Sequence, residues 1–258
     1  MGDNQSTKVL LVIVGALTGI VSTLIASAYK SYLDRKAELW KSREQTRHDY
    51  LDPLRVAAKD LRGCFERVFA RVVAEKDIPQ ENLRENYNLR YWFHRCKDYI
   101  VDPNDGWTDE ERRRDFVMHS GGMGCEAAST LYFTACYLYY ATRVRLKSPY
   151  VQLGGDDQEL IARIDDVRAR ISRLDFYSVT QDSTGVSMKN TNSEVKNYRE
   201  FGEAITNRSE RAWFLTLTDV FFKLHNQPAE NVEALLSALD KLITFLDRSL
   251  PARGLGRP

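Results

Sequence analysis

The sequence predicts an all-α protein with a single N-terminal transmembrane helix, a helical stalk and a soluble bundle of about seven or eight helices. Three observations predict this architecture. An apolar segment of 21 residues without a charge begins at Val9. Later segments repeat apolar residues at every third or fourth position, which is the period of an amphipathic helix. Clusters of Pro, Gly, Asp and Asn separate those segments, as expected for turns.

Residues 9–29 form the predicted transmembrane helix. As a helix they extend about 31 Å, close to the ~30 Å hydrocarbon thickness of a bilayer. Eleven of the 21 are Val, Leu or Ile, and these outweigh the small polar residues in membrane insertion. The alternative is a cleaved signal peptide, because Ala26-Ser27-Ala28 has the small-x-small form of a cleavage site. A weakly basic N-terminus and a long apolar run favour a retained anchor.

Basic residues are distributed unevenly around this helix. The short tail, residues 1–8, holds only Lys8. Six basic residues follow within about 20 positions, the window in which Lys and Arg set orientation. They are Lys30, Arg35, Lys36, Lys41, Arg43 and Arg47. We therefore expect a single-pass protein of the inner (plasma) membrane, with its N-terminus outside and its C-terminal domain in the cytoplasm.

Residues 30–50 continue the helical period as a basic juxtamembrane stalk. Its six basic side chains are candidates for contact with anionic lipid, each contributing up to ~1 kcal/mol near the surface. The alternative is a solvated face that only orients the transmembrane helix.

A stripe of small residues runs along the transmembrane helix, since Gly15, Gly19, Thr23 and Ser27 recur every four positions. Small side chains let two helices approach closely in lipid, which favours pairing. The stripe predicts a homodimer through the transmembrane helix. The alternative is that the stripe faces lipid.

Residues 51–250 are predicted to form the all-α cytosolic domain, and residues 251–258 a disordered tail. Asp52-Pro53 is a typical helix start. Further helices are predicted over residues 81–100, after Thr108, over 123–147 and from Asp156 to Leu174. Two more close the domain, one from Trp213 to Leu224 and one from Val232 to Leu246. The helix over 123–147 is the most apolar and is expected to be the central buried one.

The segment after Thr108 carries two local predictions. Thr108 and Glu111 have the form of a capping box. Arg112, Arg113 and Arg114 are expected to stay in solvent.

Residues 175–193 interrupt the helical rhythm with a run rich in Ser, Thr and Asn. The sequence predicts a loop here, with a short hairpin around Asp182, Ser183, Thr184 and Gly185. Long loops are either functional or merely exposed connections, and this loop is the candidate surface for an unknown protein partner.

Signals for catalysis are sparse. His119, Ser120, Gly121 and Gly122 precede the central helix, and glycine-rich backbone at a helix start is able to cradle phosphate. No strand and no Gly-Lys-Ser/Thr accompany them, so a glycine turn that permits close packing is the alternative. The histidines lie far apart in sequence, so the sequence predicts no catalytic set, no metal site and no cofactor. The net charge of +1 gives no argument for a nucleic-acid partner.

Three segments carry a resemblance to known proteins. They are Tyr50-Leu51-Asp52-Pro53-Leu54-Arg55-Val56-Ala57-Ala58, the run from Thr130-Leu131-Tyr132-Phe133 to Arg143, and Leu239-Asp240-Lys241-Leu242-Ile243-Thr244-Phe245-Leu246-Asp247. In these segments the chain resembles a loosely defined set of bacterial single-pass, membrane-anchored helical proteins. That set has no assigned activity, so the resemblance implies the architecture alone.

These observations predict a membrane-anchored cytosolic helical sensor or protein-interaction module without catalytic activity. The first alternative is a membrane-tethered enzyme that acts on a phosphate-bearing or nucleotide substrate near His119. The second is a defence effector that disrupts the membrane after self-association.

Overall fold

The computed structural model describes the backbone of residues 3–82, 88–93, 96, 106, 108–118, 123–147 and 157–249, and side chains from Ser22 onward in most of those ranges. The chain divides into two units, Met1–Thr46 and Arg47–Pro258.

The first unit is a single α-helix, α1 (Asp3–Thr46), of 44 residues. Its large apolar side chains are exposed where they are described, including Leu24 and Trp40. Across the residues that the structure describes, we find no helix with the length and apolar character needed to cross a bilayer. The transmembrane helix predicted at residues 9–29 is therefore not supported, and the side chains of residues 9–21 lie outside the described residues.

The described part of the second unit consists of helices joined by turns and loops and contains no strand, which confirms the all-α prediction. A π-helical turn, Arg47–Leu51, leads into the first of eight α-helices whose bounds the structure gives. These are α2 (Asp52–Ala74), α3 (Asp109–Met118), α4 (Met123–Lys147), α5 (Asp157–Ser172), α6 (Ser178–Ser187), α7 (Tyr198–Thr206), α8 (Leu215–Phe222) and α9 (Ala229–Ser249). Short 3-10 turns lie at Gln80–Asn82, Arg211–Phe214 and Leu224–Asn226.

The helix predicted over residues 81–100 is described only in part. Residues 89–93 are helical, and Leu89 and Phe93 are fully buried. The remainder of this prediction, residues 83–87, 94, 95 and 97–100, lies outside the described residues.

Helix α4 is the centre of the core, as its apolar composition predicts. Its buried side chains are spread around the helix, for example Leu131, Cys136, Tyr137 and Tyr139. A helix that is apolar on all sides has to be enclosed by other elements. Helices α2 and α6 pack against α4, and α9 packs against both α2 and α5.

Ion pairs between α2 and α9 show the relative direction of these two helices. Lys59 Nζ lies 2.8 Å from Asp247 Oδ1, and Arg62 Nε lies 3.0 Å from Asp240 Oδ1. Because the later residue of α2 meets the earlier residue of α9, the two helices run antiparallel.

The capping box at α3 is confirmed. The Thr108 backbone N–H donates to Glu111 Oε2 at 2.7 Å, and the Glu111 N–H donates to Thr108 Oγ1 at 3.2 Å. The expectation that all three following arginines are solvated is wrong for Arg112, which is fully buried. Helix α3 packs against α7, and a long arginine stem supplies apolar surface for such a contact. Arg114 is exposed as expected.

The loop and hairpin predicted over residues 175–193 are wrong for residues 178–187, which form α6. Serine and threonine disfavour helix interiors because their hydroxyls compete for backbone partners. In α6 two serine hydroxyls bond within the helix. Ser183 Oγ donates to the Val179 carbonyl at 2.9 Å and Ser187 Oγ donates to the Ser183 carbonyl at 2.8 Å. A single antiparallel bridge lies further along, between Lys189 and Val195.

Burial explains why this polar segment is a helix. Gln181, Thr184 and Gly185 face the core and are buried. A Cβ built on Gly185 would lie 2.8 Å from the carbonyl oxygen of Leu138, so the backbones of α6 and α4 are in direct contact. Glycine permits this approach, and the tertiary contact overrides a weak helix propensity.

Candidate functional site

A groove of about 550 Å³ lies between α2 and α4, and we call it the α2–α4 groove. It is lined by His48, Asp52, Pro53, Val56, Ala57, Asp60, Tyr132, Phe133, Cys136, Tyr140 and Val195. The two helices run antiparallel, because Arg71 Nη1 meets Glu126 Oε2 at one end, 2.6 Å away. At the other end the Arg143 guanidinium lies over the Tyr50 ring, 5.0 Å from its centroid.

The α2 side of the groove is a row of residues four positions apart. Asp52, Val56 and Asp60 recur at i, i+4 and i+8, so they lie above one another on one helix face. Val56 is exposed, and Ala57 next to it is buried. The small alanine leaves the space that the groove occupies.

The α4 side is the matching row, and it is aromatic. Tyr132, Cys136 and Tyr140 recur at the same spacing, with Phe133 beside the first of them. The Tyr132 ring is held from several sides. Its centroid lies 5.4 Å from those of Phe133 and Tyr198 and 5.6 Å from that of Phe201. Such packing fixes the ring before any ligand binds.

Asp60 is the acidic group in the middle of the groove. Its side chain is half-buried, and among the described residues no Lys, Arg or His nitrogen lies within 4.0 Å of its carboxylate. Burial raises the pKa of Asp60 above its ordinary value of 3.8. A carboxylate that loses water without gaining a cation is a feature of functional sites.

The other acidic residue, Asp52, is already neutralised. Its Oδ1 lies 3.2 Å from Arg55 Nη2, and its Oδ2 lies 3.9 Å from Arg47 Nε. His48 at the groove is largely exposed and pairs with Asp49 at 3.2 Å. The uncompensated charge of the groove is therefore that of Asp60.

The hydroxyl and thiol groups of the groove are neutral. Burial raises the pKa of Cys136 to about 12, and the charge of Asp60 adds to that effect while the Tyr132 hydroxyl opposes it. Burial likewise raises the pKa of Tyr140 to about 12 and moves the pKa of Tyr132 upward. Because the thiolate is the nucleophilic form, Cys136 is a poor nucleophile here. The groove offers shape, aromatic surface and one charge, which suit binding better than covalent chemistry.

The residues predicted for self-association and lipid contact lie on α1 and at its end. The side chains of Gly15, Gly19 and Arg43 are outside the described residues, whereas Thr23 and Ser27 are exposed. The basic residues Lys30, Arg35, Lys36 and Lys41 are exposed, and Arg47 is half-buried. The candidate phosphate site at His119, Ser120, Gly121 and Gly122 lies outside the described residues.

The residues predicted for a partner loop are part of the packing of α6. Asp182 Oδ1 accepts from Arg168 Nη1 at 2.7 Å and from Thr142 Oγ1 at 3.0 Å. Thr184 Oγ1 donates to the Trp213 carbonyl at 3.0 Å, and Gly185 contacts α4. These groups hold α6 on the core, and they are not brought together with the α2–α4 groove.

Sequence reasoning missed the α2–α4 groove because each wall is an ordinary helical row. Tyr132 and Tyr140 belong to the most apolar helix, which the sequence predicts to be buried. A signal was present in Asp60, an acidic residue that precedes the buried Leu61 and lies one helical turn from the buried Ala57 and Cys64. Only the structure shows that it faces the aromatic row.

Among the described residues, no group of three or more His, Cys, Asp or Glu is placed to hold a metal ion. Comparisons with family models, curated proteins and solved structures find no match to this chain.

Proposed function

We propose that the protein is a membrane-anchored helical sensor or interaction module without catalytic activity, and that its α2–α4 groove is the site where it binds a ligand. The observation that carries the proposal is the half-buried, uncompensated carboxylate of Asp60 opposite a fixed aromatic row. A concave, mostly apolar site with a small number of placed polar groups is typical of ligand binding.

The chemistry of the groove supports binding without turnover. A nucleophile needs an adjacent base or a lowered pKa, and the pKa of the Cys136 thiol is raised instead. Asp60 has no histidine or lysine partner among the described residues with which to move a proton. These properties favour binding over catalysis at the α2–α4 groove.

The sequence of residues 9–29 supports the membrane anchor. These 21 residues contain no Asp, Glu, Lys or Arg, and the backbone of α1 is helical throughout them. The proposal places the N-terminus outside and the helical domain in the cytoplasm, following the excess of Lys and Arg after Tyr29.

The anchor is tested by alkaline extraction of membranes from cells that express the full chain. Leu17→Arg puts a charge at the centre of the apolar run, where Arg costs about 2.5–3.5 kcal/mol in insertion. We expect the wild type to stay with the membrane pellet and Leu17→Arg to move to the supernatant. Leu39→Arg, on an exposed part of α1, is the matched control and should stay in the pellet. A wild type found in the supernatant would refute the anchor.

The binding role is tested by a thermal-shift screen of the full-length protein against metabolites, with nucleotides included. We expect one or more compounds to raise the melting temperature of the wild type and not that of Val56→Trp, whose larger side chain fills the groove. Turnover of any nucleotide would refute the proposed function in favour of the enzyme.

Self-association through Gly15, Gly19, Thr23 and Ser27 stays a prediction, and Gly19→Ile tests it.

A further inference from the structure

We propose that the α2–α4 groove binds a small alkylated ammonium ion, with the Asp60 carboxylate as its counterion and the rings of Tyr132 and Tyr140 as its walls. This inference rests on the proposed function, since it names the ligand class of the same groove.

The first argument is the charge that the fold leaves unneutralised. The basic neighbours of Asp60 on α2 point to other partners. Lys59 Nζ pairs with Asp247, and the Arg62 guanidinium pairs with Asp240 and Glu66. Both cations are thus engaged by other carboxylates, and Asp60 has no cation among the described residues. A bound cation would offset the free energy that is lost when this carboxylate is removed from water.

The second argument is the position of the rings. Asp60 and Cys136 line the same groove, together with Tyr132 and Tyr140. Tyr132 and Tyr140 stand four residues before and after Cys136, which is about 6 Å along the helix in each direction. An ammonium ion beside Asp60 is therefore within reach of aromatic surface on two sides. Cation–π attraction acts within about 6 Å of a ring centroid and is strongest where water is excluded.

The third argument is what the groove lacks. Val56, Ala57, Phe133 and Val195 supply apolar surface, and of the two carboxylates in the lining Asp52 is already paired with Arg55, which leaves Asp60. A hard metal ion needs six or more oxygen donors, and a strongly hydrated ion gains nothing from aliphatic walls. An ammonium ion that carries methyl groups combines a positive charge with apolar surface, and both parts have a partner in the groove.

Choline is the probe for the first experiment, and its neutral isostere, in which carbon replaces nitrogen, is the matched control. The full-length protein is held in a maltoside detergent, which carries no ammonium group, and binding is measured by calorimetry. For a ligand of this size we expect a dissociation constant of about 1 mM or lower. The neutral isostere should bind at least about tenfold more weakly, because it has the same shape and no charge.

Variants identify the groups responsible. Asp60→Asn should weaken choline binding about tenfold, the ratio for one charge-assisted contact of ~1.4 kcal/mol. Tyr140→Leu should weaken it, and Tyr140→Phe should preserve it, because phenylalanine keeps the ring. Asp166→Asn removes a carboxylate on α5 that pairs with Arg170 and should leave binding unchanged. The melting temperature of each variant without choline shows whether it is folded.

The outcomes separate this inference from the proposed function. Equal binding of choline and its isostere, or unchanged binding by Asp60→Asn, would overturn the cation inference. If choline does not bind but an uncharged compound stabilises the wild type and not Val56→Trp, the groove is a ligand site and only the cation inference fails. If every compound that stabilises the wild type also stabilises Val56→Trp, or if none stabilises the wild type, both the ligand site and the cation inference fail.

Discussion

Replacing Gly185 by alanine measures how closely α6 lies on α4. The added Cβ would lie 2.8 Å from the Leu138 carbonyl oxygen, 2.9 Å from its carbon and 3.1 Å from the Tyr139 nitrogen. All three are backbone atoms of α4, so no side chain is able to rotate away. Favourable contacts begin near about 3.5 Å. Helix α6 must therefore move by about 0.7 Å to relieve the closest contact.

The expected net effect is a loss of about 1–2 kcal/mol in the free energy of unfolding. Overpacking costs about 1–3 kcal/mol, and about 2–3 kcal/mol is expected where the contacts are with backbone that cannot rotate away; the better helix propensity of alanine returns about 1 kcal/mol. The hydrogen bonds from Arg168 to Asp182 and from Thr184 to the Trp213 carbonyl hold α6 in place, which limits relaxation. The melting temperature should fall by about 2–8 °C for a domain of this size.

Gly63→Ala is the matched control, because it makes the same chemical change in α2 without the close contact. The nearest atom to its added Cβ is Arg67 Nη1 at 3.6 Å, the end of a flexible side chain. This variant should gain about 0.5–1 kcal/mol from helix propensity. Urea denaturation followed by far-UV circular dichroism measures both. A Gly185→Ala protein as stable as the wild type, or a pair of variants that shift together, would refute the close approach of α6 to α4.

Three further predictions concern charge, thiols and a helix cap. Burial opposes ionisation of Asp182, but the hydrogen bond and charge of Arg168 outweigh it and lower the pKa of Asp182. A lowered folded-state pKa stabilises the protein above the unfolded value of 3.8, and this contribution is lost as the pH falls through the folded-state pKa. Asp182→Asn should therefore have a lower melting temperature than the wild type at neutral pH, and the difference should disappear in acid. A difference that does not change with pH would show that the charge of Asp182 is not its cause. Cys125 is exposed and Cys136 is buried, and burial raises the pKa of Cys136 to about 12. A thiol reagent should therefore label Cys125 in the folded protein and Cys136 only after unfolding, and peptide mapping measures both. Asn197 caps α7 through the Glu200 N–H at 3.0 Å, so Asn197→Ala should lose about 1 kcal/mol in urea denaturation, and an unchanged midpoint would contradict the cap.

Helix positions with a strong apolar period were predictable from the sequence. The central helix was expected over residues 123–147, and α4 has those bounds. The Asp52-Pro53 start of α2 was expected in the same way. In both cases the local propensity and the burial pattern favour the same structure, so the sequence alone suffices.

The features that depend on contacts between distant residues were not predictable. Helix α6 has the composition of a loop. Its conformation depends on the buried Arg168 and on the close contact of Gly185 with the backbone of α4. Arg112 has the sequence context of a surface residue, and its burial depends on the packing of α3 against α7. The α2–α4 groove requires two helices to present their rows to each other, which neither row reveals by itself.

The side chain of Cys125 is connected to the α2–α4 groove through aromatic rings. Cys125 lies close enough to Tyr198 to contribute, after burial, to the raised pKa of that phenol, and the Tyr198 ring meets the Tyr132 ring edge-on at 5.4 Å. Tyr132 is one wall of the groove. A fluorophore attached to Cys125 therefore reports from the outer surface on the environment of that wall, and it gives an optical signal for occupancy that requires no change in the groove itself.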